Sequence, residues 1–162
     1  KISESNLLGI RSILLTKTRG TAVLNTYFLG YFPRTEHVNQ QRNGALIATH
    51  SGTSLSYGLV NGQERGDLFI GPGETVYEGM VVGVASRNID VSLNVCKGKK
   101  LTNNRSSGEG VSIALTPPIQ LSLEQALDFI GDDELLEVTP KNLRIRKKIL
   151  SLSLRKAHRR NE

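Results

Sequence analysis

The middle of the chain is written in short apolar runs that glycine keeps interrupting. ALIATH stops at SG, DLFI stops at GPGE, and VYEGMVVGVAS begins one residue later. Apolar, β-branched runs of about four to eight residues suit strands and fall short of a stable helix, and each break supplies a turn. Sixteen glycines in 162 residues extend this punctuation along the whole chain. The expected fold class is therefore mainly β with packed helices, an α+β arrangement. ALIATH and TSLSYGLV, on either side of SG, read as a hairpin. DLFI and VYEGMVVGVAS read as two further strands around a glycine-rich turn, with Val81, Val82 and Val84 in the core, and NGQERG reads as a loop or a single helical turn. DVSLNVC and VSIALT alternate like strands on either side of a long loop.

Helices are expected at three places. In LSLEQALDFIGDDELL, Ser122 and Gln125 form a capping box, Leu121 and Ala126 fit a hydrophobic staple, and Leu123, Leu127 and Ile130 make one apolar side. In SESNLLGIRSILLTKTRG, Leu7, Leu8, Ile10, Leu14 and Leu15 follow a helical period; Ser3 or Ser5 caps the start, Lys17 and Arg19 suit the end of the dipole, and Gly20 suits the stop. TAVLNTYFLGYF then reads as a strand, and a helix followed by a strand looks like the tail of an α/β unit. LSLRKAHRR reads as a short basic helix that frays. Before it, LLEVT and LRIRK form a hairpin about PKN, with Leu143 and Ile145 facing one way and Arg144 and Arg146 the other. The polar stretch FPRTEHVNQQRNG reads as a linker, so three parts are expected: residues 1–32, 33–150 and a tail at 151–162.

Net charge is +6 and unevenly spread. Residues 124–137 hold six carboxylates and no Lys or Arg, whereas residues 141–162 hold nine basic residues against Glu162. A basic end suits a polyanion such as nucleic acid, and the acidic stretch reads as a solvated helix end. No apolar run approaches the roughly 20 residues of a membrane helix, and no secretory signal is present. The single cysteine, Cys96, suits a reducing, cytoplasmic setting. The chain begins at Lys1 and reads as a piece of a longer protein.

Catalytic signals are weak. His37, His50 and His158 are far apart and in no metal-ligand spacing, no phosphate loop is present, and the acidic stretch lacks the alternating pattern of a calcium loop. Cys96 paired with a histidine is the one nucleophile arrangement available. The segment GKKLTNNRSSGEG carries more. Lys97, Lys99, Lys100 and Arg105 suit phosphates, and Thr102 and Asn103 suit phosphate, sugar or base, with glycine and serine permitting close backbone approach. Long loops of this kind inside compact domains are usually functional.

LLGIRSILLTKTRG, NGALIATHSG, GLVNGQERGDLFIGPGETVYEGMVVG, GKKLTNNRSSG and TPPIQLSLEQALDFIGDDELLEVTPKNLRIRKK, in this order, resemble the C-terminal part of the TypA/BipA translational GTPases. The resemblance covers nearly the whole chain. It implies that residues 1–32 are a helix–strand remnant of an α/β domain similar to the fifth domain of elongation factor G, and that residues 33–150 are the family's own β-rich domain. It implies a noncatalytic, ribosome-binding module that meets ribosomal RNA and A-site tRNA through Lys97, Lys99, Lys100, Thr102, Asn103 and Arg105. Arg42, Arg65, Arg87, Arg144, Arg146, Lys147 and Lys148 stand as supporting basic contacts. GTP and Mg²⁺ belong to the parent's other domain, so no cofactor is expected here. The expected state is a monomer, with artefactual pairing through the N-terminal part as the exception. The sequence departs from the family pattern at Ser5 and Asn6 and at Gln41. The rival readings are a protein-interaction adaptor using the acidic helix and basic tail, and a small hydrolase using Cys96.

Overall fold

The computed structural model describes residues 7, 10–33, 43–98 and 114–161. In chain order the elements are α1 (Ile10–Lys17), β1 (Ala45–Ala48), β2 (Gly52–Thr53), α2 (Ser56–Gln63), β3 (Gly66–Leu68), β4 (Thr75–Val76), β5 (Met80–Ala85), β6 (Val91–Leu93), α3 (Leu123–Phe129), β7 (Glu134–Val138), β8 (Leu143–Lys147) and α4 (Leu152–Asn161). The arrangement is a sheet-rich α+β fold, as the glycine-punctuated runs imply.

The run MVVGVA makes β5 the strand on which the others assemble. One edge pairs antiparallel with β1. The other edge is shared, β3 taking residues 83–85 and β8 taking residues 80 and 81. β6 adds to β1 in parallel, and β7 adds to β8 as the expected hairpin, giving the order β6-β1-β5-β8-β7 with β3 beside β5. Opposite β1, Leu46 faces Gly83 but Ile47 faces Val81, so Val82 is an extra residue. A bulge of this kind bends the strand and increases its twist.

Both faces of the sheet are covered, which explains why β1 and β5 read as continuous apolar runs rather than alternating ones. Leu46, Ala48, Leu68, Met80, Val82 and Leu93 pack on one side with Leu59 of α2. Ala45, Ile47, Val81 and Ile145 pack on the other with Ala126 of α3.

Several expectations are corrected. TSLSYGLV does not return along ALIATH. Gly52 and Thr53 pair with β4 instead, and residues 56–63 form α2. The strand expected in residues 21–32 is absent. Residues 21–33 carry no regular element, and Tyr27, Phe28, Tyr31 and Phe32 are exposed, Tyr31 at 96%. A strand needs a neighbour for its backbone groups, and none of the described strands pairs with this stretch. DVSLNVC supplies β6, but its partner is β1; residues 114–116 form no strand, and residues 111–113 lie outside the described residues.

The capping box of α3 is present in full. Gln125 N–H donates to Ser122 Oγ at 3.2 Å, and Ser122 N–H donates to Gln125 Oε1 at 2.9 Å. Leu121 and Ala126 share one cluster, as a staple requires. The buried face differs from the expected one. Leu123 and Leu127 are 47% and 56% exposed, while Ala126 is buried and Phe129 packs edge-on against Phe69 with ring centroids 5.6 Å apart. The small Ala126 lets the helix lie close to the sheet, and Phe129 fills the space beside it.

The acidic stretch is also not simply solvated. Glu134, the first residue of β7, is buried, and its carboxylate meets the ammonium of Lys147 at 2.9 Å. The same Nζ lies 2.7 Å from Asp90 and 2.8 Å from Asp133, with the lysine side chain 1% exposed. The second oxygens have partners too. Asp90 Oδ1 accepts from Ala45 N–H at 2.9 Å, and Glu134 Oε2 accepts from Gly131 N–H at 2.9 Å. Burial alone would lower the Lys147 pKa, but hydrogen bonds to the three carboxylates outweigh it and raise the value. A raised lysine pKa stabilises the fold below the unfolded value of about 10.4, and that contribution is lost as pH rises through the folded value.

Two outcomes are expected. Lys147→Met strands the carboxylates and should cost about 3–5 kcal/mol in urea denaturation at neutral pH; a change below about 1 kcal/mol would show that the cluster carries little. Phe129→Ala should cost about 3 kcal/mol, the low end for a core Phe, whereas Leu127→Ala should stay within about 0.5 kcal/mol. The reverse ranking would restore the leucine face.

Candidate nucleic-acid interface

The basic segment leaves the fold at Lys97 and Gly98, both exposed. Lys99, Lys100, Thr102, Asn103 and Arg105 lie outside the described residues, as does Arg42. What is described is how the two stems are held. On the outgoing side, Leu55 N–H donates to Val95 O at 2.9 Å, just ahead of α2. Cys96 N–H donates to the Asn94 side chain at 2.9 Å, which turns the chain outward. Gly58 makes the close approach possible, because a Cβ there would fall 2.4 Å from Val95 O. On the returning side, Gln63 at the other end of α2 clamps Thr116. Its Nε2 donates to Thr116 O at 2.8 Å, and its Oε1 accepts from Thr116 N–H at 3.3 Å. Ile119 N–H then donates to Leu68 O at 2.8 Å. The two stems are therefore tied to opposite ends of one eight-residue helix, about 12 Å at 1.5 Å per residue.

The other basic residues sort into distinct situations. Arg65 and Arg87 are exposed, and their segments adjoin, since Ser86 N–H donates to Arg65 O at 2.9 Å. Lys148 is exposed. Arg144 and Arg146 are half-buried, and Arg146 Nε donates to Glu137 Oε1 at 2.6 Å. The other oxygen of Glu137 accepts from Tyr77 OH at 2.8 Å. Lys147 is a correction. Its position among four basic residues suggested an outward contact, but it stands in phase with the inward Ile145 and serves the internal ion cluster. Sequence reasoning missed this cluster, although the alternation 143, 145, 147 was the signal for it.

Glu134 is thus buried within the fold, whereas Asp133 and Glu137, although ion-paired, keep 60% and 38% of their side chains exposed. Among the described residues no group of His, Cys, Asp and Glu is arranged to hold a metal ion, and no helix is long and apolar enough to cross a membrane. Burial raises the Cys96 thiol pKa, the opposite of what a nucleophile needs. A cavity of about 290 Å³ beside α1 is lined by Leu14, Leu15, Ala22, Val23, Leu24 and Asn25, none of them titratable.

Residues 43–152 match the model of the TypA/BipA C-terminal domain. The chain belongs to the TypA/BipA family. It is 45% identical over 162 residues to the large ribosomal subunit assembly factor BipA of Salmonella typhimurium, covering 99% of this chain and 27% of that protein. The Escherichia coli K12 protein of the same name is 46% identical over 151 residues, 93% of this chain and 25% of that one. The Haemophilus influenzae protein of that name is 46% identical over 156 residues, 96% of this chain and 25% of its own length. The chain thus spans about a quarter of the relatives it matches. The family domain takes in the whole sheet, the α2 platform, the basic segment and the ion cluster.

Burial, then the hydrogen bond to Glu137, push the Tyr77 pKa up to about 12. A raised folded value means that stability from this phenol is complete below the unfolded pKa of about 10 and is lost as pH rises toward 12. Ultraviolet titration of the chain's four tyrosines should show one late phenol. Glu137→Gln should bring it down part of the way, leaving the share due to burial. A phenol that ignores this substitution would rule out the contact.

Proposed function

We propose that this chain is a noncatalytic, ribosome-associated module of a translational GTPase, docking on ribosomal RNA and A-site tRNA through the basic segment that begins at Lys97. The observation that carries the reading is 45–46% identity, along nearly the whole chain, to proteins named large ribosomal subunit assembly factors. Composition agrees, since Lys97, Lys99, Lys100 and Arg105 supply phosphate contacts, and Thr102 and Asn103 supply neutral hydrogen bonds. The α2 platform supports it as well. Stems fixed at both ends of one helix give the basic segment a defined point of departure. Arg42, Arg65, Arg87, Arg144 and Lys148 act as secondary contacts, and Arg146 joins them only by leaving Glu137. In the same reading, residues 1–32 close an elongation-factor-like α/β domain, residues 33–150 are the docking domain, and GTP with Mg²⁺ is handled elsewhere in a cytoplasmic parent.

The test is binding of this chain to purified ribosomes across a salt series. Replacing Lys99, Lys100 and Arg105 with Ala should make log affinity against log salt shallower by roughly 0.9 per lost contact on duplex RNA, or about 0.7 on single strands. Thr102→Ala with Asn103→Ala should weaken binding at unchanged slope. Full affinity and slope in the triple variant would remove the basic segment from the interface.

A further inference from the structure

α4 runs over the sequence LSLRKAHRRN, which holds no carboxylate. Lys156 and Arg160 are both exposed and stand four residues apart on one flank, with Cβ atoms about 5–6 Å apart, a spacing at which like charges disfavour a helix. Neither meets a carboxylate among the described residues. A ten-residue helix is marginal by itself. A cation in the last turn suits the helix dipole, which accounts for Arg160 but not for Lys156 in the middle.

The fold holds this self-repelling helix in place from its base. Leu152 N–H donates to Glu78 Oε1 at 2.7 Å. Arg155 turns inward, and its Nη1 donates to Ile149 O at 3.0 Å and to Leu150 O. Gly79, at φ +85°, brings the start of β5 against Leu150, where a Cβ would come within 2.7 Å of the Leu150 Cα. The helix expected to fray is thus seated at one end, with two cations displayed on a fixed flank. Ordering such a pair in advance lowers what binding must later spend on immobilising it.

We infer that this flank of α4 is a second phosphate-binding face, at which Lys156 and Arg160 hold neighbouring phosphates of an RNA backbone. This rests on the reading of the chain as an RNA-docking module.

The experiment measures binding of the 162-residue chain to a short RNA duplex by anisotropy across a salt series, with polyglutamate as a second anion. Lys156→Ala with Arg160→Ala should make the salt slope shallower by about 1.8, two contacts at roughly 0.9 each. The exposed Leu154→Ala on the other side should leave it unchanged, and circular dichroism should show no loss of helix in any variant. A helix variant that loses slope while the Lys99, Lys100 and Arg105 variant keeps it would uphold this face and overturn the basic segment. The reverse would overturn this face alone. An equal loss on polyglutamate would overturn RNA in favour of an acidic protein surface, and absence of RNA binding by the wild-type chain would overturn both.

Discussion

The ammonium of Lys147 holds Asp90, the residue ahead of β6, against Glu134, the residue that opens β7. β6 and β7 are the two ends of the strand path, so one buried cation ties together elements that share no backbone hydrogen bond. Asp90 also takes the N–H of Ala45, which places the start of β1 in the same knot. A buried charge is tolerated only when its remaining hydrogen-bonding groups are satisfied. Here the lysine is met by three carboxylates, and the second oxygens of Asp90 and Glu134 are met by backbone N–H groups. The bulge at Val82 contributes to the same shape, since added twist in β5 turns its neighbours out of a flat plane.

The outward chemistry depends on that sheet. β6 is placed by β1, Val95 follows β6, and Val95 carries α2 through the Leu55 N–H. α2 in turn sets both stems of the basic segment. At another corner, the start of β5 seats α4 through Glu78 and Gly79. The cations therefore project from a framework in which Lys147 faces three carboxylates and Arg146 faces one. Lys147 and Arg146 serve as internal counter-charges, and the exposed lysines and arginines stay available for solvent or a partner.

How much of this is legible in the sequence follows from how local each cause is. The capping box of α3 needs only Ser122 and Gln125, so it reads correctly. The β7–β8 hairpin is set by alternation and the Pro140 turn, and it too reads correctly. The buried face of α3 does not, because residues 123, 127 and 130 and residues 122, 126 and 129 have the same spacing; the choice is made by the shape of the opposing sheet. α2 does not either. SYGLVNGQ holds two glycines and looks nothing like a stable helix, yet Gly58 is what lets it lie on the Val95 backbone. Tertiary contact overrides local preference there. Of the candidate site, the charge pattern is legible and Lys97 is exposed, whereas the role of Lys147 depends on Asp90, far away in sequence.

The parallel pairing of β6 with β1 also bears on the order of assembly. Ala45 and Asp90, which bring these strands into register, are 45 residues apart, and the intervening chain forms α2, β3 and β5. A contact that closes so long a loop incurs its entropic cost before its energy is recovered, and such contacts form slowly unless the loop has already folded. The sheet around β5 is thus the natural nucleus, and β6 docks on a nearly finished neighbour. The outgoing stem of the basic segment is then fixed only after β1 and β5 have paired, so a nascent chain would not hold Lys97 in its final direction until that part of the sheet had formed.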